Sequence, residues 1–176
     1  MNPSLPGPAD STDAIRLALQ SWPDVDRYLQ TCKGVIIPLG STEQHGPTGA
    51  IGTDALTAEA VALELGRRSG VLVTPVQAFG MAEHHLGFAG TMSLQPATLL
   101  AVLHDLVLSL ATHGFERSLV VNGHGGNIAT ARAAFAQAYG TAASRGLEVA
   151  PEVACPEGGR VVHPPSHRGV RAPFLP

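Results

Sequence analysis

The sequence has few cysteines and few charged residues for its 176 residues. The two cysteines, Cys32 and Cys155, do not form the dense disulfide pattern of small secreted domains, which favours a reducing, cytoplasmic location. Charged residues make up 14% of the chain and the formal net charge is −3. We therefore expect no general electrostatic attraction to nucleic acid or to an anionic membrane.

Long hydrophobic runs are also missing. The longest apolar stretch, Leu99 to Ala111, contains His104 and Asp105 and is too short to span a bilayer. The first residues lack the basic and apolar regions of a signal peptide, and residues 1–11 are predicted to be disordered. Hydrophobic residues nevertheless make up 44% of the chain, enough for one domain with a substantial core, predicted at 12–150.

Short apolar segments alternate with helical segments along this domain. Strands are predicted at 34–39, 71–74, 118–121 and 147–150, and helices at 54–69, 96–113 and 128–145. A helical pattern over 12–30 is interrupted by Pro23. The alternation predicts an α/β fold with a mostly parallel sheet. In the helix 54–69, the side chains expected to face the core are Leu56, Ala60, Leu63 and Leu65.

Two glycine-rich loops, Gly40 to Asp54 and Asn122 to Asn127, follow two of the predicted strands. Ligands of open α/β sheets bind at the carboxyl ends of the strands, so both loops should open on the same edge. Together they offer two carboxylates and two imidazoles: Glu43, His45, Asp54 and His124. This set suits zinc, manganese or ferrous iron, and Asp54, at a helix start, is a candidate bridge between two metals.

Each of these residues also has a purely structural explanation. Glu43 could be a solvated loop acid, Asp54 a helix N-cap, and His45 a hydrogen-bonding partner within a turn. His124 has the weakest such explanation, because a histidine between two glycines has no packing role.

Other functional interpretations rest on neighbouring residues. The loop 122–127 could cradle a phosphate, as in a transferase, but it lacks the lysine and Ser/Thr of a Walker motif; its amides could instead form an oxyanion hole. His85 lies in another glycine-rich loop and is a weaker candidate for substrate contact, with a role in packing as the alternative. Cys32 has no evident base beside it and is expected to be inert.

Four segments together resemble the creatininase (creatinine amidohydrolase) family over about residues 13–150. They are Ile37-Pro-Leu-Gly-Ser-Thr-Glu-Gln-His-Gly-Pro47, Gly52-Thr-Asp54, His85-x-x-Phe88-Ala-Gly-Thr91 and Val121-Asn-Gly-His-Gly-Gly-Asn127. The resemblance implies a three-layer α/β/α sandwich, a homo-oligomer, one or two divalent metals and hydrolysis of C–N bonds in cyclic or linear amides. By motif, the implied ligands are Glu43, His45, Asp54 and His124, with Asp54 as the bridge.

The sequence departs from the family pattern at three places. Ala89 replaces a proline, and Gly126 occupies the position where creatininase itself has a metal-binding glutamate, so creatinine specificity is not expected. Relatives with the double glycine carry a further His and Glu after the fourth strand. Residues 151–176 are predicted to be irregular, as in a truncated gene or a shifted reading frame, because 160–176 contain no acid and no strand or helix period.

These observations predict a metal-dependent amidohydrolase. It would hydrolyse a C–N bond other than a peptide bond in a small-molecule amide with a metal-activated water. Zinc is the first expectation for the cofactor, with manganese or iron as alternatives. The competing hypothesis is a non-catalytic, truncated family member that binds metal without turnover.

Overall fold

The structure, a computed structural model, describes residues 12–155 and 160–162. The helices are α1 Trp22–Leu29, α2 Thr53–Ser69, α3 Pro96–Thr112 and α4 Ile128–Ser144. The strands are β1 Gly34–Leu39, β2 Leu72–Val73, β3 Arg117–Asn122, β4 Ala150–Cys155 and β5 Arg160–Val162. The predicted disordered segment 1–11 lies outside the described residues, as does most of the predicted irregular tail.

The strands form one sheet in the order β2-β1-β3-β4-β5. The first four are parallel to one another, and β5 pairs antiparallel with β4. All six residues of β1 are buried, as expected for a strand of a parallel sheet that is covered on both faces. The predicted α/β class with a mostly parallel sheet is confirmed.

Helices cover both faces of the sheet. On one face, α2 packs through Ala62 against a cluster that includes Ile36 and Leu119. On the other face, α3 and α4 enclose a larger cluster around Ile37 and Val120. This is the predicted three-layer α/β/α sandwich.

The buried face of α2 differs from the predicted one. Leu56 is 61% exposed and Ala60 is also exposed, whereas the predicted Leu63 and Leu65 are half-buried. The helix instead buries a face of small residues: Ala55, Ala58, Ala62 and Gly66. The reason is the close approach of α2 to the ends of the strands, since a Cβ atom on Gly40 would lie 2.4 Å from the Cα of Ala55.

Helix α1 begins where the sequence predicted an interruption. Pro23 lies in its first turn, where proline leaves no intrahelical hydrogen bond unmade. The backbone N–H and the hydroxyl of Ser21 both donate to the carboxylate of Asp24, which closes the start of the helix.

The fourth strand lies farther along the chain than predicted. It runs over Ala150–Cys155 rather than 147–150, and Val153 is buried against the larger cluster. The prediction of irregular structure from residue 151 onward is therefore wrong for 151–155 and 160–162. Pro151 and Glu152 disguise the strand in the sequence, although proline is tolerated near the start of a strand.

Within the described ranges, the chain contains no helix with the length and apolar character needed to cross a membrane.

Candidate metal centre

Three of the predicted ligands meet at the carboxyl edge of the sheet. Glu43 follows β1, Asp54 lies in the first turn of α2 and His124 follows β3. One ligand atom from each lies within 4.8 Å of the others, and all three residues are buried. The start of α2 reaches this edge because residue 123 is a glycine; a Cβ there would lie 2.3 Å from the carbonyl oxygen of Asp54.

The imidazole of His124 faces both carboxylates. Its Nδ1 lies 3.2 Å from Glu43 Oε1 and 3.0 Å from Asp54 Oδ2. Its Nε2–H donates to the carbonyl oxygen of Met81 at 2.9 Å, so in the neutral ring Nδ1 carries a lone pair. An unprotonated Nδ1 this close to two carboxylates is unfavourable unless a proton or a metal ion lies among them. Imidazoles whose other nitrogen donates to a backbone carbonyl are usual for metal ligands.

Asp54 supports the same interpretation. Its Oδ2 is buried and has no hydrogen-bond partner among the described residues, although His124 Nδ1 lies 3.0 Å away. A buried carboxylate oxygen without a donor is costly unless an ion satisfies it. The alternative role of Asp54 as a helix N-cap is wrong, since the N-cap is Gly52 and no side chain caps α2.

His45 approaches the other oxygen of Asp54. Its Nε2 lies 2.9 Å from Asp54 Oδ1, and its Nδ1 lies 3.1 Å from the carbonyl oxygen of Glu43. Asp54 therefore presents one oxygen to each histidine, the arrangement that a bridging carboxylate requires. His45 stands outside the compact group formed by Glu43, Asp54 and His124.

The electrostatics around His45 favour a positive charge at this point. Burial lowers the pKa of His45, but the hydrogen bond to the Glu43 carbonyl and the charge of Asp54 outweigh it and raise the pKa above its ordinary value. A metal ion between His45 and Asp54 would compete with that proton.

His85 lies at the margin of the cluster. Its Nε2 is 3.6 Å from Glu43 Oε1, and its Nδ1 is 2.9 Å from the side-chain nitrogen of Gln44. The ring of His84 packs against it, with the centroids 4.0 Å apart. Another histidine, His104, lies elsewhere: it is on α3, and its Nε2 is 3.2 Å from the hydroxyl of Thr141 on α4.

Three residues of the site escaped the sequence analysis as individuals: Ser41, Gln44 and Asn127. Ser41 donates its hydroxyl to Glu43 Oε2 at 3.3 Å. Asn127 is fully buried; its Nδ2 donates to the carbonyl of Gly40, and its Oδ1 accepts from the N–H of Met81. Their only signal was their place inside the matching motifs. A buried polar side chain must find partners, and those of Asn127 on Gly40 and Met81 are distant in sequence.

Gly126 also proves to be part of the arrangement. A Cβ at this position would lie 2.5 Å from His124 Nε2 and 2.6 Å from the Met81 carbonyl oxygen. A side chain there would therefore meet the hydrogen bond that orients His124.

The family model described as creatinine amidohydrolase matches residues 18–164. The chain belongs to the creatininase family. Within this family, it is 38% identical over 116 residues to the mycofactocin precursor peptide peptidase of Mycobacterium ulcerans (strain Agy99). The matched region covers 61% of this chain and 46% of the relative. It is 35% identical over 95 residues to the creatinine amidohydrolase of Pseudomonas putida, covering 51% and 36% of the two chains. The chain thus spans less than half the length of these curated relatives.

Solved creatininase structures share the fold. The crystal structure of creatinine amidohydrolase (creatininase) superposes with a TM-score of 0.77 at 26% identity, covering 81% of this chain and 57% of that one. A structure named "Creatininase Mn" matches with a TM-score of 0.74 at 26% identity, covering the same shares. The manganese in that name is a property of that protein.

Proposed function

We propose that this creatininase-family chain is a metal-dependent hydrolase that cleaves the C–N bond of an amide. The observation that carries the proposal is the buried Asp54 Oδ2, which lacks a hydrogen bond and faces the Nδ1 of a histidine oriented by a backbone carbonyl. Carboxylates and imidazoles without thiolates suit zinc first, with manganese or iron as alternatives.

The residues of the chain divide the work of such a site. Glu43, Asp54 and His124 would hold one ion, and His45 with the second oxygen of Asp54 would hold another. A bound divalent ion supplies Lewis acidity and lowers the pKa of a water molecule. The carbonyl oxygens of Met81 and Glu43 fix the ring orientations of His124 and His45, respectively, so that their free nitrogens face the carboxylates.

The substrate that we propose is a small amide other than creatinine. Gly126 supports this, because it stands where creatininase has a metal-binding glutamate. The curated relatives are named for a peptidase and for a creatinine amidohydrolase, so a test must include both peptide and non-peptide bonds.

Metal content and hydrolysis, measured on one preparation, test the proposal. Purified protein would be assayed with zinc or manganese against formamides, linear and cyclic amides, creatinine and short peptides. We expect turnover that a chelator abolishes and the metal restores. Asp54→Asn should be inactive, whereas Asp26→Asn, a matched change of an exposed acid on α1, should retain activity. Turnover that survives both the chelator and Asp54→Asn would refute the proposal.

Metal binding without turnover is the second candidate. The observation in its favour is Gly126, which leaves the site without the metal-binding glutamate that creatininase has at this position. Stoichiometric metal in a monodisperse sample that hydrolyses none of the panel would support it. Nucleotide binding in the presence of chelator would instead support the phosphate-binding interpretation of the loop 122–127.

We also propose that the chain forms a homo-oligomer and binds neither nucleic acid nor membrane. Exposed apolar side chains such as Leu56 and Phe88 support an interface between copies. Light scattering would decide this, since a mass equal to that of one chain would contradict the proposal.

A further inference from the structure

The side chain of Gln44 links two parts of the site. Gln44 lies between the predicted ligands Glu43 and His45 in the chain. Its amide oxygen accepts from the backbone N–H of Gly46 at 2.8 Å, and its amide nitrogen lies 2.9 Å from His85 Nδ1. Both ends of this amide are therefore committed.

These two contacts determine which nitrogen of His85 carries a proton. The N–H of Gly46 can only donate, so the atom of Gln44 that faces it must be the oxygen. The other end of the amide is then the NH₂ group, which can also only donate. His85 Nδ1 must accept from it, and the neutral imidazole consequently carries its proton on Nε2.

The position of that proton decides what His85 can do. Nε2 lies 3.6 Å from Glu43 Oε1, which is longer than a hydrogen bond. A nitrogen that carries a proton cannot ligate a metal, so the proton excludes His85 from the ligand set. The ring of His84, packed 4.0 Å away between centroids, limits its movement. His85 instead offers an N–H at the edge of the cluster.

We propose that Gln44 is a positioning residue that holds His85 as an Nε2–H donor, and that this N–H donates to the carbonyl oxygen of an amide bound beside Glu43, Asp54 and His124. The substrate half of this inference rests on the proposed function. The half that concerns Gln44 and His85 does not.

Nitrogen NMR of the histidine rings tests the inference directly. In protein with ¹⁵N-labelled histidine, the His85 signals are those that disappear in His85→Ala. We expect Nδ1 to be unprotonated and Nε2 to be protonated, both in metal-free protein and after zinc is added. Nδ1 found protonated, or Nε2 losing its proton to zinc, would overturn the inference.

A change of one atom in Gln44 should reverse the pattern. In Gln44→Glu the carboxylate still accepts from Gly46, but its second oxygen is an acceptor as well, so His85 Nδ1 should become protonated. Gln30→Glu is the control, because it makes the same change at an exposed residue that directly follows α1 and precedes β1. An unchanged Nδ1 signal in Gln44→Glu would count against the inference.

Kinetics on the amide found in the hydrolysis screen test the substrate half. Loss of one donor to a developing oxyanion lowers kcat by on the order of 10²-fold, so His85→Ala should lose about that much with little change in KM. Gln44→Leu should also lower kcat, and the double variant should be no slower than His85→Ala, because Gln44 acts through His85. Multiplied losses in the double variant would contradict a positioning role.

The two proposals can fail separately. If the expected protonation pattern is found but no amide is hydrolysed, the proposed function and the substrate half fail, and the role of Gln44 stands. If amides are hydrolysed but His85 Nδ1 carries the proton, the proposed function stands and the inference is overturned.

Discussion

Among single interactions of the site, the hydrogen bond between His124 and the Met81 carbonyl is the one most sensitive to a neighbouring substitution. It sets which nitrogen of His124 faces Glu43 and Asp54. Nothing larger than a hydrogen atom fits beside it at position 126. The absence of a side chain at Gly126 thereby controls the orientation of a predicted ligand.

Substituting Gly126 should consequently weaken metal binding without unfolding the chain. In Gly126→Ala the new methyl group would displace His124 or Met81, and disturbing the partner of a metal-binding histidine costs about 10- to 100-fold in affinity. Zinc affinity would be measured by competition with a chromophoric chelator. Gly125→Ala is the matched control, since a Cβ there meets nothing within 4 Å. Equal affinities in the two variants would contradict this view of Gly126.

Asn127 should contribute to the stability of the fold. It joins the loops after β1, β2 and β3 through Gly40, Met81 and Asn122. Asn127→Ala leaves the half-buried N–H of Met81 and the buried carbonyl of Gly40 without their side-chain partner, which should lower the free energy of unfolding by about 3 kcal/mol. Urea denaturation would measure the loss. Gln137→Ala, an exposed amide on α4, should change it by less than about 0.5 kcal/mol.

The residues that the sequence identified differ in kind from those that it missed. Glu43, Asp54 and His124 are chemically conspicuous, because acids and an imidazole in or at the end of glycine-rich loops that follow buried strands need an explanation. Asn127 and Gln44 are ordinary loop residues until their partners are known. Those partners are backbone atoms or side chains far along the chain, such as Met81 and His85, and no local pattern encodes such distances.

Helix α2 illustrates the element scale, where spacing predicted the helix but not its orientation. Its bounds agree with the prediction to one residue at the start, and Gly70 ends it in the left-handed region, at a φ of 71°. Hydrophobic size pointed to Leu56 as a core residue. The backbone of α2 lies very close to Gly40 and Gly123 at the ends of β1 and β3, so the face of the helix on this side consists of small residues. A pattern based on hydrophobicity cannot detect such a close approach.

Enlarging the small face of α2 should therefore cost more than truncating its large exposed residue. Ala62 is fully buried among Ile36 and Leu119, so Ala62→Leu should destabilise the fold by about 1–3 kcal/mol. Leu56→Ala should change stability by less than about 0.5 kcal/mol in the monomer. Thermal and urea denaturation, at concentrations where light scattering shows one chain, would compare them. A larger loss of stability in Leu56→Ala than in Ala62→Leu would contradict the small buried face and support the face predicted from the sequence.

The sheet edge shows a different limit of prediction. The sequence predicts β4 too early in the chain because Leu147 and Val149 are apolar. These two residues pack against the core, but they precede the hydrogen-bonded pairing with β3, which starts at Ala150. Pairing with β3 decides the strand, since Ala150 lies opposite Arg117 and Val153 opposite Val120. Register is a property of two strands together, so one strand's composition cannot fix it.

At the scale of the whole molecule, the candidate metal centre ties together segments that are far apart in the chain. Glu43 follows β1, Asp54 lies in α2 and His124 follows β3, and the hydrogen bonds among the described residues leave Asp54 Oδ2 without a donor. A cation bound there would act as a cross-link between β1, α2 and β3. An ion that binds the folded chain and not the unfolded one stabilises it by mass action.

Zinc should therefore raise the melting temperature, and a chelator should lower it again. With free zinc at about a hundred times its Kd, the gain is about 2.7 kcal/mol, or roughly 5–10 °C for a chain of this size. Differential scanning calorimetry with and without chelator would measure it. Asp54→Asn should lose most of the shift because the amide withdraws the charge that both histidines face, whereas Asp26→Asn should keep it. A shift that is equal in both variants would place the stabilising ion elsewhere on the chain and remove the physical basis for a metal centre at this edge of the sheet.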